Sequence, residues 1–351
     1  MEQKQLNSMY KDELIKLLLS MGEPKFRAGQ VYMWLQKKGA TVEEMLNLPK
    51  PLRDRLGAMP FAMVRIHSRY VSKLDGTIKY LFLLEDGNLV EGVLMSYKYG
   101  NTMCISTQVG CRMGCAFCAS TLEGLVRNLT AGEMMAMVHA VEQDGPIPDG
   151  SGRRVTNLVL MGSGEPLDNY DNVVRFLKLI TDEEGFNMSQ RNISVSTCGL
   201  CNRVDDFIKD APHVTLSISL HAPNDDIRSD IMPVNRRFKI AEVISAAKRY
   251  ANITGRRVIF EYALIAGVND TYDAAKELSL KLSGINCHVN LIPLNRVKER
   301  ALSGSTKDHA KVFMGWLLKR GISATIRREM GSDIDGACGQ LKRRVILEQE
   351  D

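Results

Sequence analysis

Nowhere in the 351 residues does an apolar run approach the ~18 residues that a membrane span needs. The opening Met1-Glu2-Gln3-Lys4-Gln5-Leu6 also lacks the apolar core of a secretory signal, so a cytoplasmic protein without a membrane partner is expected. There is no internal repeat and no low-complexity tract, which argues against a solenoid or a long flexible linker. Cysteine is scarce, with eight in the chain. In a reducing compartment cysteines point to metal binding or catalysis before structural disulfides. What is present is ordinary for a folded chain: 44% hydrophobic and 25% charged residues permit a large core in one or two domains.

The net charge of +5 is unevenly spread, because residues 1–100 hold 15 Lys and Arg against 11 Asp and Glu. That surplus suits either a solvated basic face or contact with a polyanion such as RNA.

Hydrophobic spacing divides the chain into three parts. Residues 1–60 read as a helical module, with apolar stripes at Leu14/Leu17/Leu18/Leu19 and Val31/Trp34/Leu35 and a rim of Lys25, Arg27, Lys37 and Lys38. Over 61–98 the period changes to two. Arg65–Tyr70, Thr77–Phe82 and Leu89–Met95 predict a β-meander, turning at Asp75-Gly76 and Asp86-Gly87. From 99 to 351 apolar strands alternate with amphipathic helices. The strands are predicted at Met103–Thr107, Asn157–Gly162, Ile193–Thr197, Val214–His221, Val258–Leu264 and Cys287–Leu294. Helices are predicted near 131–143, 170–181, 201–210, 239–252, 271–283 and 307–320, the first opening on the capping box Thr130-Ala131-Gly132-Glu133. Six β–α units predict an α/β fold whose parallel sheet curls into a full or partial barrel, with its chemistry at the carboxyl ends of the strands.

Chemistry concentrates in Gly110-Cys111-Arg112-Met113-Gly114-Cys115-Ala116-Phe117-Cys118, just after the first of these strands. A structural zinc site wants four ligands, and an ordinary all-cysteine iron–sulfur cluster wants four thiolates. Three thiolates at C-x3-C-x2-C spacing can hold three irons of a [4Fe–4S] cube and leave the fourth open. This resembles the radical S-adenosylmethionine superfamily, in which the methionine end of that molecule chelates the open iron.

Other strand ends carry short polar groups. The second runs into Gly162-Ser163-Gly164-Glu165-Pro166-Leu167, where glycine lets backbone approach a ligand. Ser196 closes the third, Ser219-Leu220-His221 the fourth and Asn295 the sixth, groups suited to ribose hydroxyls, a carboxylate and adenine edges. Near the end, Ala337-Cys338-Gly339 sets a thiol among small residues. Cys104 lies seven residues before the triplet, Glu91 sits inside an apolar strand, and Cys198-x2-Cys201 forms a pair best read as incidental.

Taken together, these residues resemble the RlmN/Cfr group of radical S-adenosylmethionine adenine methyltransferases that act on ribosomal RNA, over nearly the whole length. The resemblance implies a partial (β/α)6 barrel with an N-terminal helical accessory domain and a short β extension. It implies a [4Fe–4S] cluster on Cys111, Cys115 and Cys118, and S-adenosyl-L-methionine, two per turnover, held by Gly164, Glu165, Ser196, Ser219, Leu220, His221 and Asn295. In the family's scheme Cys338 accepts a methyl group, a 5′-deoxyadenosyl radical abstracts hydrogen from it, and the resulting carbon joins the adenine ring. Glu91 then takes the ring proton, and Cys104 attacks the Cys338 sulfur, leaving a disulfide. The implied partners are 23S rRNA, some tRNAs, and an external electron donor such as flavodoxin or ferredoxin. Gly164-Glu165-Pro166-Leu167 and Ser196-Thr197-Cys198-Gly199-Leu200 favour methylation at C2 over the Cfr-type C8 reaction, which confers ribosomal antibiotic resistance. Two rivals are a radical enzyme with a non-RNA substrate, which leaves Cys104 and Cys338 idle, and a non-catalytic iron–sulfur protein, which leaves the strand-end residues unexplained.

Overall fold

The computed structural model describes residues 4–145, 152–295, 299–334 and 341. Three helices build the N-terminal part: α1 (Lys11–Ser20), α2 (Phe26–Tyr32), which runs on through a wider turn over Met33–Lys37, and α3 (Lys50–Gly57). Of the predicted stripes, Leu14, Leu18, Val31 and Leu35 are buried and Leu17 and Trp34 half-buried, whereas Leu19 is exposed on the outer face of α1; Leu52 and Leu56 of α3 are buried too. Lys25, Lys37 and Lys38 stay exposed, Lys38 lying 3.6 Å over the Trp34 ring.

A meander follows, in which β1 (Val64–Val71), β2 (Ile78–Leu84) and β3 (Leu89–Tyr97) pair antiparallel. Gly76 and Gly87 both take left-handed conformations at the two Asp-Gly turns, as those pairs predict. β4 (Gly100–Ile105) is next, and a small ribbon of β5 (Gln108–Gly110) and β6 (Leu125–Asn128) brackets the cysteine loop. This ribbon needs glycine at 110, where φ is +74° and a Cβ would stand 2.0 Å from the Gly124 carbonyl oxygen.

The remaining chain alternates as predicted. In order come α4 (Ala131–Gln143), β7 (Asn157–Leu160), α5 (Tyr170–Thr181), β8 (Ile193–Thr197), α6 (Val204–Asp210) and β9 (Thr215–Ser219). Then follow α7 (Asp225–Ile231), α8 (Ile240–Thr254), β10 (Val258–Leu264), α9 (Tyr272–Leu282), β11 (Cys287–Pro293), α10 (Lys307–Lys319) and β12 (Ala324–Ile326). α4 forms where its capping box says it should, with the Thr130 hydroxyl accepting from Glu133 N–H and the Glu133 carboxylate from Thr130 N–H.

One ten-stranded sheet results, in the order β1-β2-β3-β4-β7-β8-β9-β10-β11-β12. β4 is its hinge of direction, antiparallel to β3 and parallel to β7, and every later pairing is parallel. The meander is thus an extension of the barrel's own sheet. Ends of β7 through β11, with Arg327 just past β12, line a single cavity, which a flat sheet could not allow. The sheet is a partial barrel, as expected, with β12 and α7 added to the six predicted units. Four strands stop short of their predicted ends: β4 at Ile105, β7 at Leu160, β11 at Pro293 and β9 at Ser219, the last because His221 turns the chain at φ +56°.

The helical module is fastened to this barrel. Gly132 N–H donates to Ser8 Oγ at 2.8 Å, the Asn7 amide exchanges two 2.9 Å bonds with the Ala62 backbone, and Arg175 on α5 reaches Glu13 at 2.7 Å. One large hydrophobic cluster draws on residues from Leu6 to Ala324 and so spans both the module and the barrel.

Candidate active site

All three clustered cysteines face one cavity. Cys111 and Cys115 are buried and Cys118 is half-buried, among Met113, Phe117 and Met232. Their loop is tied down from several sides. Cys111 N–H donates to Gly124, Ala116 N–H to Ile231 at the end of α7, and Thr121 Oγ to the carbonyls of Cys115 and Cys118. Burial pushes the Cys111 thiol up to about 12, with Cys118 adding to the rise. Cys115 rises for the same causes, opposed by the Arg228 charge. A coordinated iron reverses this, because metal ligation deprotonates a thiol. Among the described residues no three His, Cys, Asp or Glu side chains converge tightly enough to share one metal ion. A cluster makes a different demand, one thiolate per iron around a cube, and three thiols at one mouth in apolar surroundings fit it.

Next to the cysteines, the loop after β7 is built for close approach. A Cβ on Gly162 would lie 2.7 Å from the Ile105 carbonyl, and Gly164 stands at φ +107° against Gln108. Ser163 O accepts from both Thr107 and Gln108 N–H, which locks this loop to the end of β4. Glu165 is buried, with Oε1 accepting from Leu167 N–H at 2.9 Å and Oε2 from Cys198 N–H at 2.6 Å. Burial raises its carboxyl, and those two donors oppose the rise. The Glu165 side chain therefore ties the loop after β7 to the end of β8, with lone pairs to spare. Ser196, Ser219, His221 and Asn295 line the same cavity. His221 Nδ1 accepts from Ala263 N–H at 2.9 Å, leaving Nε2 to carry the proton. Burial and the Arg228 charge lower the ring to about 3, so it stays neutral. Phe117 meets it edge-on, joining the cysteine loop to the end of β9.

Leu220 behaves differently. Its side chain lies in the hydrophobic core, outside the cavity lining, and its carbonyl accepts from Arg228 Nε. Two charged cavity residues escaped the sequence reading: Glu261, buried on β10 and bonded to Asn290, and Arg327. Glu261 carried the same signal as Glu91, a carboxylate inside an apolar strand.

A second cavity adjoins the first, sharing Ile292, Leu294, Asn295 and Arg327 with it. Its wall holds Cys104, Val93, Met95 and Met330, and its rim carries Lys307, Arg328 and Glu329. Cys104 pairs with Val93 across β3 and β4, and Glu91 lies two residues along on the same face. Both Glu91 and Lys79 are buried, and they pair at 3.1 Å. Cys338 lies outside the described residues. Cys198 faces the first cavity, whereas Cys201 packs into the core and donates to Gly199 O.

A radical S-adenosylmethionine enzyme is the class that this cavity and barrel define, and the superfamily's model matches residues 105–278. A model described as the N-terminal domain of ribosomal RNA large subunit methyltransferases matches residues 4–60. Similar curated proteins include the probable dual-specificity RNA methyltransferases RlmN of Alkaliphilus oremlandii, 49% identical with 99% of each chain covered, and of Lachnospira eligens, 48% identical with 97% and 96% covered. Among solved structures, a radical SAM methyltransferase from Sphaerobacter thermophilus superposes with a TM-score of 0.90 at 44% identity, covering 96% of this chain and 98% of that one. The chain belongs to the RlmN family of radical S-adenosylmethionine RNA methyltransferases. It uses a [4Fe–4S] cluster and S-adenosylmethionine, and its substrate is RNA. Among the described residues no helix is long and apolar enough to cross a membrane.

Proposed function

We propose that this enzyme works in the cytoplasm and methylates C2 of an adenosine in the peptidyl transferase centre of 23S rRNA, and of the adenosine 3′ to the anticodon in some tRNAs. The observation that carries the reading is adjacency: the cavity holding Cys104 opens onto the one ringed by the three cluster cysteines, through four shared residues. A resolving thiol has to lie beside the place where carbon is transferred. The relatives' description as dual-specificity RNA methyltransferases supports two kinds of RNA.

When bound, the cluster and two molecules of S-adenosylmethionine per turnover supply one-electron chemistry and the transferred carbon, with electrons from a flavodoxin- or ferredoxin-like donor. Cys111, Cys115 and Cys118 hold the cluster. Gly164, Glu165, Ser196, Ser219, His221 and Asn295 hold the cofactor, and Leu220 contributes through its backbone. Cys338 carries the incoming carbon to the adenine. Glu91 takes the ring proton on its carboxylate, which Lys79 keeps oriented. The Cys104 thiolate then attacks the Cys338 sulfur. An S–S bond forms as the S–C bond breaks, and the bonding pair leaves with the product carbon, which takes up a proton from solvent to become the methyl group. Arg327, Arg328 and Lys307 on the rim offer cations to RNA phosphates.

The test is nucleoside mass spectrometry after anaerobic reconstitution with reductant, S-adenosylmethionine and either a 23S rRNA fragment or tRNA. 2-Methyladenosine is the expected product from both. 8-Methyladenosine would reassign the enzyme to the C8 reaction, and absence of product from tRNA would remove the second substrate.

A further inference from the structure

Arg228 is the largest fully buried side chain among the described residues, and every hydrogen bond it makes goes to a neutral oxygen. Its guanidinium donates to the carbonyls of Cys198 (2.7 Å), Ser219 (3.1 Å), Leu220 (3.1 Å) and Phe238 (3.3 Å), and to the Asn235 side chain (3.0 Å). A buried cation without a counter-ion is costly, by several kcal/mol in general. Asp225, on the same helix, attracts the guanidinium without bonding to it, and its Oδ1 accepts from the Ile240 N–H.

The surroundings show where a counter-charge would come from. Cys198 O and Ser219 O belong to the ends of β8 and β9, both in the wall of the cofactor cavity. Ile231, three residues along α7 from Arg228, accepts Ala116 N–H from between two of the cluster cysteines, and Ile231 and Cys115 share one apolar cluster. The guanidinium thus lies behind the wall that the cysteines face. Three thiolates ligating an iron–sulfur cube bring negative charge to that wall, and reduction of the cube adds one more.

We propose that Arg228 is the internal counter-charge of the iron–sulfur cluster: it positions the β8 and β9 ends through its fork of hydrogen bonds, and its cation makes the cluster easier to reduce. The inference rests on the cluster lying at Cys111, Cys115 and Cys118. An inner cation favours the more negative, reduced state, because attraction between charges is strong where water is excluded. Arg228 is a positioning residue here, since it touches the strand ends and not the substrate.

The experiment reads the cluster directly. Wild type, Arg228→Lys, Arg228→Gln and Asn235→Asp are reconstituted anaerobically as full-length proteins. Iron and sulfide are assayed, and the midpoint potential is taken by redox titration with electron paramagnetic resonance detection. Arg228→Gln should move the midpoint to more negative values and lower cluster occupancy, while Arg228→Lys, which keeps the charge, should move it less. Asn235→Asp guards against a variant that fails to fold, because it nearly preserves shape while setting a carboxylate against the guanidinium. It too should make reduction harder. A wild-type midpoint in both Arg228→Gln and Asn235→Asp would overturn the charge role, as would equal shifts in Arg228→Lys and Arg228→Gln. Loss of the cluster from a Cys115→Ala control confirms the site on which the inference depends; a fully loaded Cys115→Ala protein would instead sink the cluster assignment itself.

Discussion

The two adjoining cavities are made of different materials. In the first, several polar groups are already committed: Glu165 to the Leu167 and Cys198 backbone, His221 to the Ala263 backbone, Glu261 to the Asn290 side chain, the Gly162 turn to the end of β4. In the second, the wall is a thiol with Val93, Met95 and Met330, and the charges stand outside on the exposed Arg327 and Arg328. On the proposed reading, a small cofactor of fixed shape would be met by groups largely held in place, which lowers the ordering cost of binding. A large polyanion would be met by rim cations, with adaptable methionine behind them.

That contrast can be broken by substitution. Cys115→Ala should empty the first cavity of its cluster and lower methylation at least ~1,000-fold, with iron content falling in parallel; full activity without iron would end the comparison. Cys104→Ala should cut product about 100-fold or more while S-adenosylmethionine binding, read by equilibrium dialysis, stays near wild type. A protein–RNA adduct should accumulate in that variant, and its absence would remove the resolving role of this thiol. Glu165→Gln should weaken S-adenosylmethionine by roughly 10- to 100-fold, the worth of one charge-assisted hydrogen bond, with RNA affinity unchanged. Arg328→Ala should do the converse, weakening RNA about fivefold and reducing the salt slope of binding by about one. Equal losses of cofactor and RNA binding in either variant would show the two cavities to be a single unit.

The smallest effect is expected far from both, at the seam between the helical module and the barrel. His139 on α4 is buried against Phe186, and a Cβ on Gly39 would stand 2.3 Å from its ring. Burial lowers its pKa to about 4, from near 6.5 when unfolded. The depressed value means that stability is fully present above about pH 6.5 and is lost as pH falls toward 4, since the unfolded chain binds the proton first. Melting temperature should drop a few degrees between pH 7 and pH 5, and less in His139→Gln. An unchanged slope in that variant would place the acid sensitivity elsewhere.

Much of this was legible in the residues. Period-two and helical spacing located the meander and six β–α units because Asp-Gly turns punctuate the meander and the helices keep an apolar stripe, even though β2 and β3 are buried on both faces. The cysteine triplet and the Gly164-Glu165 turn announced themselves by residue type. α7 did not, being seven residues rich in aspartate with too little apolar periodicity, though Asn224 as its cap was a usable sign. Arg228 was invisible for a related reason: on such a helix an arginine reads as solvent-facing, and only the meeting of the β8 and β9 ends puts it inside. Leu220 shows the opposite limit, where a residue matched by motif turns its side chain to the core. The Glu165–Cys198 contact could not be read either, since it joins groups 33 residues apart.

β4 is gripped on both flanks, by β3 running against it and β7 running with it. Because side chains alternate along a strand, sliding β4 by a single step would turn Cys104 through the sheet to the layer beneath. If Cys104 is the resolving thiol proposed above, the count of residues around Tyr99-Gly100 matters to the reaction as much as the sulfur does, and a one-residue deletion there would keep every proposed reacting atom in the chain with one of them on the wrong floor.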